Sequence, residues 1–500
     1  MSTGVDMMIS NLEGGLSNED ITIEIVPRAD LDNVVVLGVS EESLIERDSE
    51  LSDAPTMDKY SGNMVAVTAA ANQRLDFIDI ARGVIMCIMS LDHTNTFVHC
   101  NHTPATESVW SRKHALDVLP LAAFYKSDWG EFFTRHVTHI CAPGFVFLMG
   151  LSMSIVFNSR IKKRGWNYCQ VVIFFLKRAV ICFIVTECLE LGGWIIGWAG
   201  SWSKMRDDGW KESPLNVRYD EDMNKRVPMS VIFGLFTCMF FVAPLMGFIR
   251  WWVEKKSLSI AKANALAGFL ISTFCWIMAE LRPPDNAYVL DRTYRVFVSG
   301  GPNRDSPSWG PNIVCKYPIM PMMGACLFGA SFGDYVLARE RSTRLSWRVM
   351  FLGFGGLVAF FVMRGFVEPD NRITNDGGIA FMSLTKYPFS FCYLSWNLGW
   401  FMIVLFISDR ISNRGQKGGV RGSICNYFIL IGRVPLFYYV LHLYVFGVSS
   451  LPFSMTGYCG ELWMVYVIVI VGNLTVLRWS CNWFWEYKQS KDKDSLIRMF

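Results

Sequence analysis

Residues 74–93 read RLDFIDIARGVIMCIMSLDH, and the fold is decided by how this stretch is read. It has the length and apolar content of a membrane-crossing helix, with charged side chains at both ends and part-way in. Arg82 and His93 are eleven residues apart, close to three whole helical turns. Both side chains therefore lie on one face, about 16 Å apart along the axis. The apolar run VIMCIM separates them. An ionisable side chain inside a hydrocarbon span is costly unless it faces the bundle interior or a wet cavity. Two readings are open from this window alone. Arg82 snorkels to a headgroup while Asp92 and His93 cap the far end, or the polar face turns inward and other helices assemble around it.

The rest of the chain bears on that choice. Of 500 residues, 52% are hydrophobic and 18% charged, against about 25% charged in soluble proteins. With a positive mean hydropathy, this is an all-α polytopic membrane protein. The 14 cysteines form no CxxC pair, which excludes a zinc ribbon or dithiol redox motif. Cys100, Cys315 and Cys459 fall in or beside loops, where a disulfide among them has nothing else to support it. Residues 1–73 are strongly acidic and the remainder correspondingly basic. The first segment contains no signal peptide, and its apolar patch at 33–39 is too short to span. It reads as a disordered acidic cytoplasmic tail, with the first helix serving as signal and anchor together.

Apolar segments of spanning length recur near 77–98, 136–157, 171–198, 229–249, 261–280, 318–337, 347–366, 387–407, 427–447 and 462–484. They predict a bundle of about ten transmembrane helices. The third is long enough to be tilted or broken near Gly192–Gly193. The loops alternate in character. One set is short and basic: Arg160 to Arg164, Arg250 to Lys256, Arg339 to Arg344, and Arg410 to Arg421. The other set is mostly longer and of mixed charge. The positive-inside rule places the short basic loops and both termini in the cytoplasm. The sequon Asn101-His102-Thr103 then falls outside, as it must for glycosylation; Asn473-Leu474-Thr475 falls within the last helix and is set aside. The domain division expected is 1–73 tail, 74–485 membrane domain and 486–500 short cytoplasmic tail.

Polar residues stand where the membrane should be. The second helix opens FFTRHVTHICAPG, so Arg135, His136 and His139 come at the same depth as Asp92 and His93. Imidazole titrates near neutrality, and a neighbouring carboxylate orients it and raises its basicity. A His–Asp pair suits acyl transfer, where a base takes the acceptor's proton. His136, nearer the loop, reads as an interfacial residue in contact with headgroups. Lys386 and Tyr387 stand at the outer end of the eighth helix. Arg433 and His442 share the ninth with Pro435, an arrangement hard to reconcile with a lipid-facing helix. Cations therefore lie toward the cytoplasm (Arg82, Arg433) and imidazoles toward the far side. Arginine suits phosphate because its guanidinium binds bidentately. There is no Walker or Rossmann glycine loop, no HExxH and no GxSxG.

Five pieces occur in one order: RLDFIDIARGVIMCIMSLDH, FFTRHVTHICAPGFVFLMGLS, KYPIMPMMGACLFG, FMSLTKYPFSFCYLSWNLG and LIGRVPLFYYVLHLYVF. In these, from about residue 74 to 450, the chain resembles the heparan-alpha-glucosaminide N-acetyltransferase family, most closely its bacterial-type members. The resemblance implies a ten- or eleven-helix bundle that passes acetyl from cytosolic acetyl-CoA, a co-substrate, to a sugar amine across the membrane. The spacing from Arg82 to His93 also resembles the Arg-x10-His signature of bacterial transmembrane sugar O-acyltransferases. That implies a base or transient acyl acceptor in His93, and a structural or donor-binding part for Arg82. The chain departs from the heparan enzyme's pattern at His93, where that pattern has no histidine, and at His139, where it has an acid.

The expectation is a multi-pass acyltransferase moving an acetyl or similar short acyl group from acyl-CoA to an amine or hydroxyl of an extracytoplasmic glycan. His93, Asp92 and His139 are its candidate catalytic residues. Arg82, Arg135, Lys386, Tyr387, Arg433 and His442 are its candidate binding residues. The bilayer, acyl-CoA and a glycan or amino sugar are the expected partners; no metal and no nucleic acid is expected, and oligomeric state stays open, a dimer included. The alternative is a transporter or exporter of a small anion or lipid-linked sugar, against which the absence of an internal repeat counts. Asp492 to Ile497 fits an acidic dileucine pattern, which suits an endolysosomal membrane; the plasma membrane and other endomembranes stay open.

Overall fold

In the computed structural model the first helix, α1 (Asp76–Val98), begins directly after Leu75, with Asp76 and Asp79 in its first turn. Carboxylates there complement the positive end of the helix dipole. The structure describes residues 21–26, 34–39, 75–99, 129–190, 192–197, 238–256, 258–280, 290, 293–299, 301–302, 314–315, 317–339, 344–366, 381–382, 384–386, 388–412, 420–456, 458 and 460–491. The sequon at Asn101, Tyr387, the thiols of Cys100, Cys315 and Cys459, and the dileucine-type segment lie outside the described residues or side chains, as does most of the acidic segment.

The chain divides into two units, Met1–Arg74 with Asn158–Asn167, and Leu75–Phe157 with Tyr168–Phe500. In the first, β1 (Ile21–Val26) pairs antiparallel with β2 (Val34–Val39), Ile21 opposite Val39 and Val26 opposite Val34. Residues 34–39 of the apolar patch thus form a strand in this structure.

The second unit is a helical bundle. After α1 come α2 (Trp129–Thr138), α3 (Cys141–Arg164), α4 (Tyr168–Val185), α5 (Cys238–Lys256) and α6 (Ile260–Glu280). Then follow α7 (Ile319–Leu337), α8 (Trp347–Phe366), α9 (Phe391–Ser412), α10 (Val420–Arg433), α11 (Pro435–Thr456), α12 (Leu462–Gly472) and α13 (Arg478–Gln489). π-helical turns occupy Thr186–Glu190 and Asn473–Leu477. Gly301–Pro302 and Val314–Cys315 form a two-residue ribbon, β3 and β4.

Among the described residues, seven segments are long and apolar enough to cross a membrane: Trp129–Arg164, Tyr168–Gly197, Ile260–Met278, Trp347–Phe366, Phe391–Ser412, Pro435–Phe453 and Leu462–Gln489. The protein thus has the character of an all-α membrane protein. The outward faces agree: Phe351, Leu352, Val358, Leu266 and Leu270 are each more than half exposed, a lipid-facing pattern for helices apolar all round.

Three boundaries differ from the sequence reading. The segment expected at 427–447 is two helices, α10 and α11, broken at Val434. Pro435 has no N–H to continue the ladder and its ring clashes with the carbonyl four residues back. The second segment is likewise two helices, so Arg135 and His136 belong to α2 rather than to the opening of α3. Pro143 cannot donate to the carbonyl of His139; the Tyr393 hydroxyl does so instead, at 2.9 Å. Finally, the helix expected to end at 249 runs on to Lys256, so Arg250 is an interior helical residue, 2% exposed, rather than a loop cation.

Around α1 pack α10, α11, α9 and α12, while α8 lies on α9 and α6 on α7. Lipid tails are as apolar as leucine, so such helices associate mainly through close packing and interhelical hydrogen bonds. The α1–α10 crossing depends on glycine. A Cβ on Gly432 would overlap the carbonyl oxygen of Asp79, and one on Gly83 would overlap that of Phe428.

Candidate functional site

α1 presents Asp92 and His93 near its C-terminal end. Consecutive helical residues point about 100° apart, and the two side chains turn to different partners. The Asp92 carboxylate accepts from Arg135 Nη1 at 2.5 Å and from the Thr138 hydroxyl at 2.7 Å, both on α2. Lys386, 5% exposed in the segment leading to α9, lies within electrostatic reach of Asp92 and sets its ammonium 5.8 Å from the Tyr317 ring centroid. This carboxylate is therefore surrounded by cations, a buried charge compensated as such charges must be.

His93 turns toward α11. Its Nδ1 lies 2.8 Å from Nε2 of His442, the two rings stacked with centroids 5.0 Å apart. His442 is fully buried, and its Nδ1 meets the carbonyl of Tyr438 at 3.1 Å. Trp194 closes the other side of His93, edge-on at 4.7 Å. The Trp194 indole N–H donates to Glu190 at 3.1 Å, and the Tyr439 hydroxyl donates to the same carboxylate oxygen at 2.6 Å. Glu190 ends the π-helical turn of the 168–197 segment and is 8% exposed.

The structure thus brings His93, His442, Asp92, Arg135 and Lys386 to one end of the bundle. His139 is buried among aromatic rings, edge-on to Tyr393 at 5.7 Å and to His136 at 6.1 Å. His136 does not reach out to headgroups as expected: it is 6% exposed, between Phe132 and Trp396. Sequence reading missed Glu190, Trp194, Tyr439 and Thr138. The signal for Glu190 was available, since a carboxylate in a spanning run points to the bundle interior; the same run also carries Glu187, so sequence alone did not single it out.

At the opposite end, Arg82 is a clamp. Its Nη1 donates to Asp79 at 2.9 Å and to the Gly432 carbonyl at 2.8 Å, and its Nη2 donates to the Ser152 hydroxyl at 3.2 Å. Arg433 ends α10, 3.5 Å from Asp76 and with its guanidinium 5.2 Å from the Trp485 ring centroid. It borders a cavity of about 920 Å³ whose walls also carry Asp76, Tyr427, Arg478, Asn482 and Trp485. Arginines and flat rings around an open polar cavity can bind phosphate and stack a heterocycle. Between cavity and histidines runs a polar seam. Tyr427 and Tyr438 hydroxyls both donate to Asn473 Oδ1, at 3.2 and 2.7 Å, and Asn473 Nδ2 donates to Ser90 at 3.1 Å. The sequon asparagine set aside above is the hub of this seam.

A second buried ionic cluster lies elsewhere in the bundle. Arg250 Nη2 meets Asp334 Oδ1 at 2.6 Å and the Ser154 hydroxyl at 2.9 Å, and Asn264 donates to the other oxygen of Asp334 at 2.9 Å. Among the described residues no group of three His, Cys, Asp or Glu side chains is arranged to hold a metal. No protein-family model matches the chain, and no curated protein matches it.

Proposed function

We propose that the protein is a membrane-embedded acyltransferase that moves an acetyl or similar short acyl group from a cytosolic acyl-CoA to an amine or hydroxyl of a glycan on the other side. The observation that carries this reading is the His93–His442 pair, held at one end of α1 while an arginine-lined cavity opens at the other. The reading includes ten spanning helices, with α1, α5 and α7 added to the seven apolar segments, and both termini in the cytoplasm. It takes residues 1–73 as a cytoplasmic acidic tail. The resemblance of the five ordered motifs to the heparan-alpha-glucosaminide N-acetyltransferase family supports the same chemistry.

In this mechanism the cavity holds the donor's phosphates against Arg433 and Arg478 while its acyl arm runs along the Asn473 seam. His93 takes a proton from the acceptor nitrogen or oxygen. That atom attacks the thioester carbonyl, the C–S bond breaks, and CoA leaves as a thiolate that is then protonated. Asp92, with Arg135 and Lys386, makes a fixed charged wall suited to the acceptor's hydroxyls.

The test uses purified protein with labelled acetyl-CoA, following CoA release with and without a panel of amino sugars, in wild type and His93→Ala. Release that needs both an amino sugar and His93 is expected. Full activity in His93→Ala, or no acetyl-CoA binding in wild type, overturns the assignment and favours transport through the same cavity.

A further inference from the structure

We propose that His442 is a positioning residue that fixes the tautomer of His93 through the main chain of Tyr438. Its consequence for catalysis rests on the acyl-transfer reading above; its premise rests on geometry alone.

The Tyr438 carbonyl can only accept, so the Nδ1 of His442 facing it at 3.1 Å must carry a proton. In a neutral imidazole the other nitrogen is then the acceptor. That nitrogen, Nε2, faces His93 Nδ1 at 2.8 Å, so His93 Nδ1 must carry the donated proton. His93 Nε2 is left as the basic nitrogen. The reverse assignment would set a lone pair of His442 against the lone pairs of a carbonyl. The main chain of α11, through the Tyr438 carbonyl, thus sets the state of both rings. The logic is that of a carboxylate orienting the imidazole of a hydrolase triad, with a neutral carbonyl–imidazole unit in the carboxylate's place.

The surroundings hold the relay in place. His442 is fully buried and stacks on the Tyr438 ring, centroids 5.6 Å apart and planes 12° apart. Tyr439 and Phe446 flank it on α11, and the Tyr438 hydroxyl is tied to Asn473. From the facing elements come His93 itself and, beyond Trp194, the Glu190 carboxylate, which accepts from Trp194 and Tyr439.

The experiment uses full-length protein in nanodiscs with 15N-labelled histidine. Seven histidines keep the spectrum tractable, and a His93→Asn difference spectrum assigns His93. At mildly alkaline pH, wild type is expected to show His93 protonated at Nδ1 and unprotonated at Nε2. His442→Phe fills the same space but accepts nothing, so His93 should shift toward the Nε2–H form. His442→Gln offers an amide oxygen to His93 Nδ1 and should restore the wild-type pattern. In CoA release, His442→Phe should lose about 10²-fold or more in kcat with KM little changed, and His442→Gln should recover most of it. An Nε2–H tautomer in wild type, or equal losses for Phe and Gln, overturns the proposal. The two readings fail separately: the nitrogen signals report the relay whether or not acyl transfer occurs, and CoA release reports acyl transfer whatever the tautomer.

Discussion

Arg82 donates to the main-chain carbonyl of Gly432 at 2.8 Å, across 350 positions of sequence. The bond exists because α10 ends there. The last four carbonyls of a helix have no partner in the ladder, and the break between Arg433 and Pro435 ends that ladder just after Gly432. Gly432 also lets the backbones meet, since any Cβ at that position would overlap the Asp79 carbonyl oxygen. Gly432→Ala should therefore destabilise the bundle by roughly 2–3 kcal/mol, as overpacking of a rigid contact does. Gly355→Ala on α8, where an added methyl meets nothing, should be neutral or slightly stabilising. Thermal unfolding in detergent reads both; equal melting temperatures would mean that the crossing yields easily.

Arg250 and Asp334 form a buried ion pair, with side chains 2% and 8% exposed. Removing one partner leaves an uncompensated charge, a loss of about 3–5 kcal/mol. Asp334→Ala and Arg250→Met should each lower stability by that order. The double variant should fall well short of the sum, since it leaves no charge to bury. Strict additivity in a double-mutant cycle would show the two side chains to be independent.

The helical, membrane-like character of the chain was legible because hydropathy over some twenty residues is a local property; the breaks at His139–Ile140 and Val434 were not, because hydropathy does not register a lost backbone bond. The inward face of α1 was legible from the spacing of Arg82 and His93. The partners of that face were not. His442 stands 349 positions from His93, and no periodicity links them. Arg250 was misread because it sits beside Lys255 and Lys256, so composition assigned it to a basic loop; only the packing of α3, α6 and α7 reveals its acid. Asn473 was set aside as a chance sequon, because the glycosylation pattern is local and the tyrosines that bond it lie on other helices.

Arg433 and Arg478 border the cavity of about 920 Å³. If its occupant is a CoA thioester, each guanidinium supplies a charge-assisted bond worth about 1.5–3 kcal/mol. Acetyl-CoA at about 100 times Kd should stabilise wild type by about 2.7 kcal/mol. Arg478→Ala or Arg433→Ala should then need at least tenfold more ligand for the same rise in melting temperature. An unchanged dose curve for Arg433→Ala would reduce that residue to a partner of Asp76.

His99, just beyond the end of α1, has an acceptor at each ring nitrogen, the Gly460 carbonyl on Nδ1 and the Glu131 carboxylate on Nε2. Two acceptors require two N–H donors, which is the imidazolium form. Burial alone disfavours that charge and is the largest influence. The bonds to Glu131 and Gly460, with the charges of Glu131 and Glu461, together outweigh it, and the pKa is raised above its ordinary 6.5. A raised folded-state pKa stabilises the fold fully below the unfolded value and loses that contribution as pH rises through the folded one. Melting temperature should be compared between wild type and Glu131→Gln from about pH 5.5 to 9, a range in which the carboxylate stays ionised. The advantage of wild type should be largest at the acid end and should shrink as pH passes from the ordinary histidine value through the raised one. An advantage that grows with pH would mean that His99 is neutral in the folded protein and that its contact with Glu131 is not an ion pair.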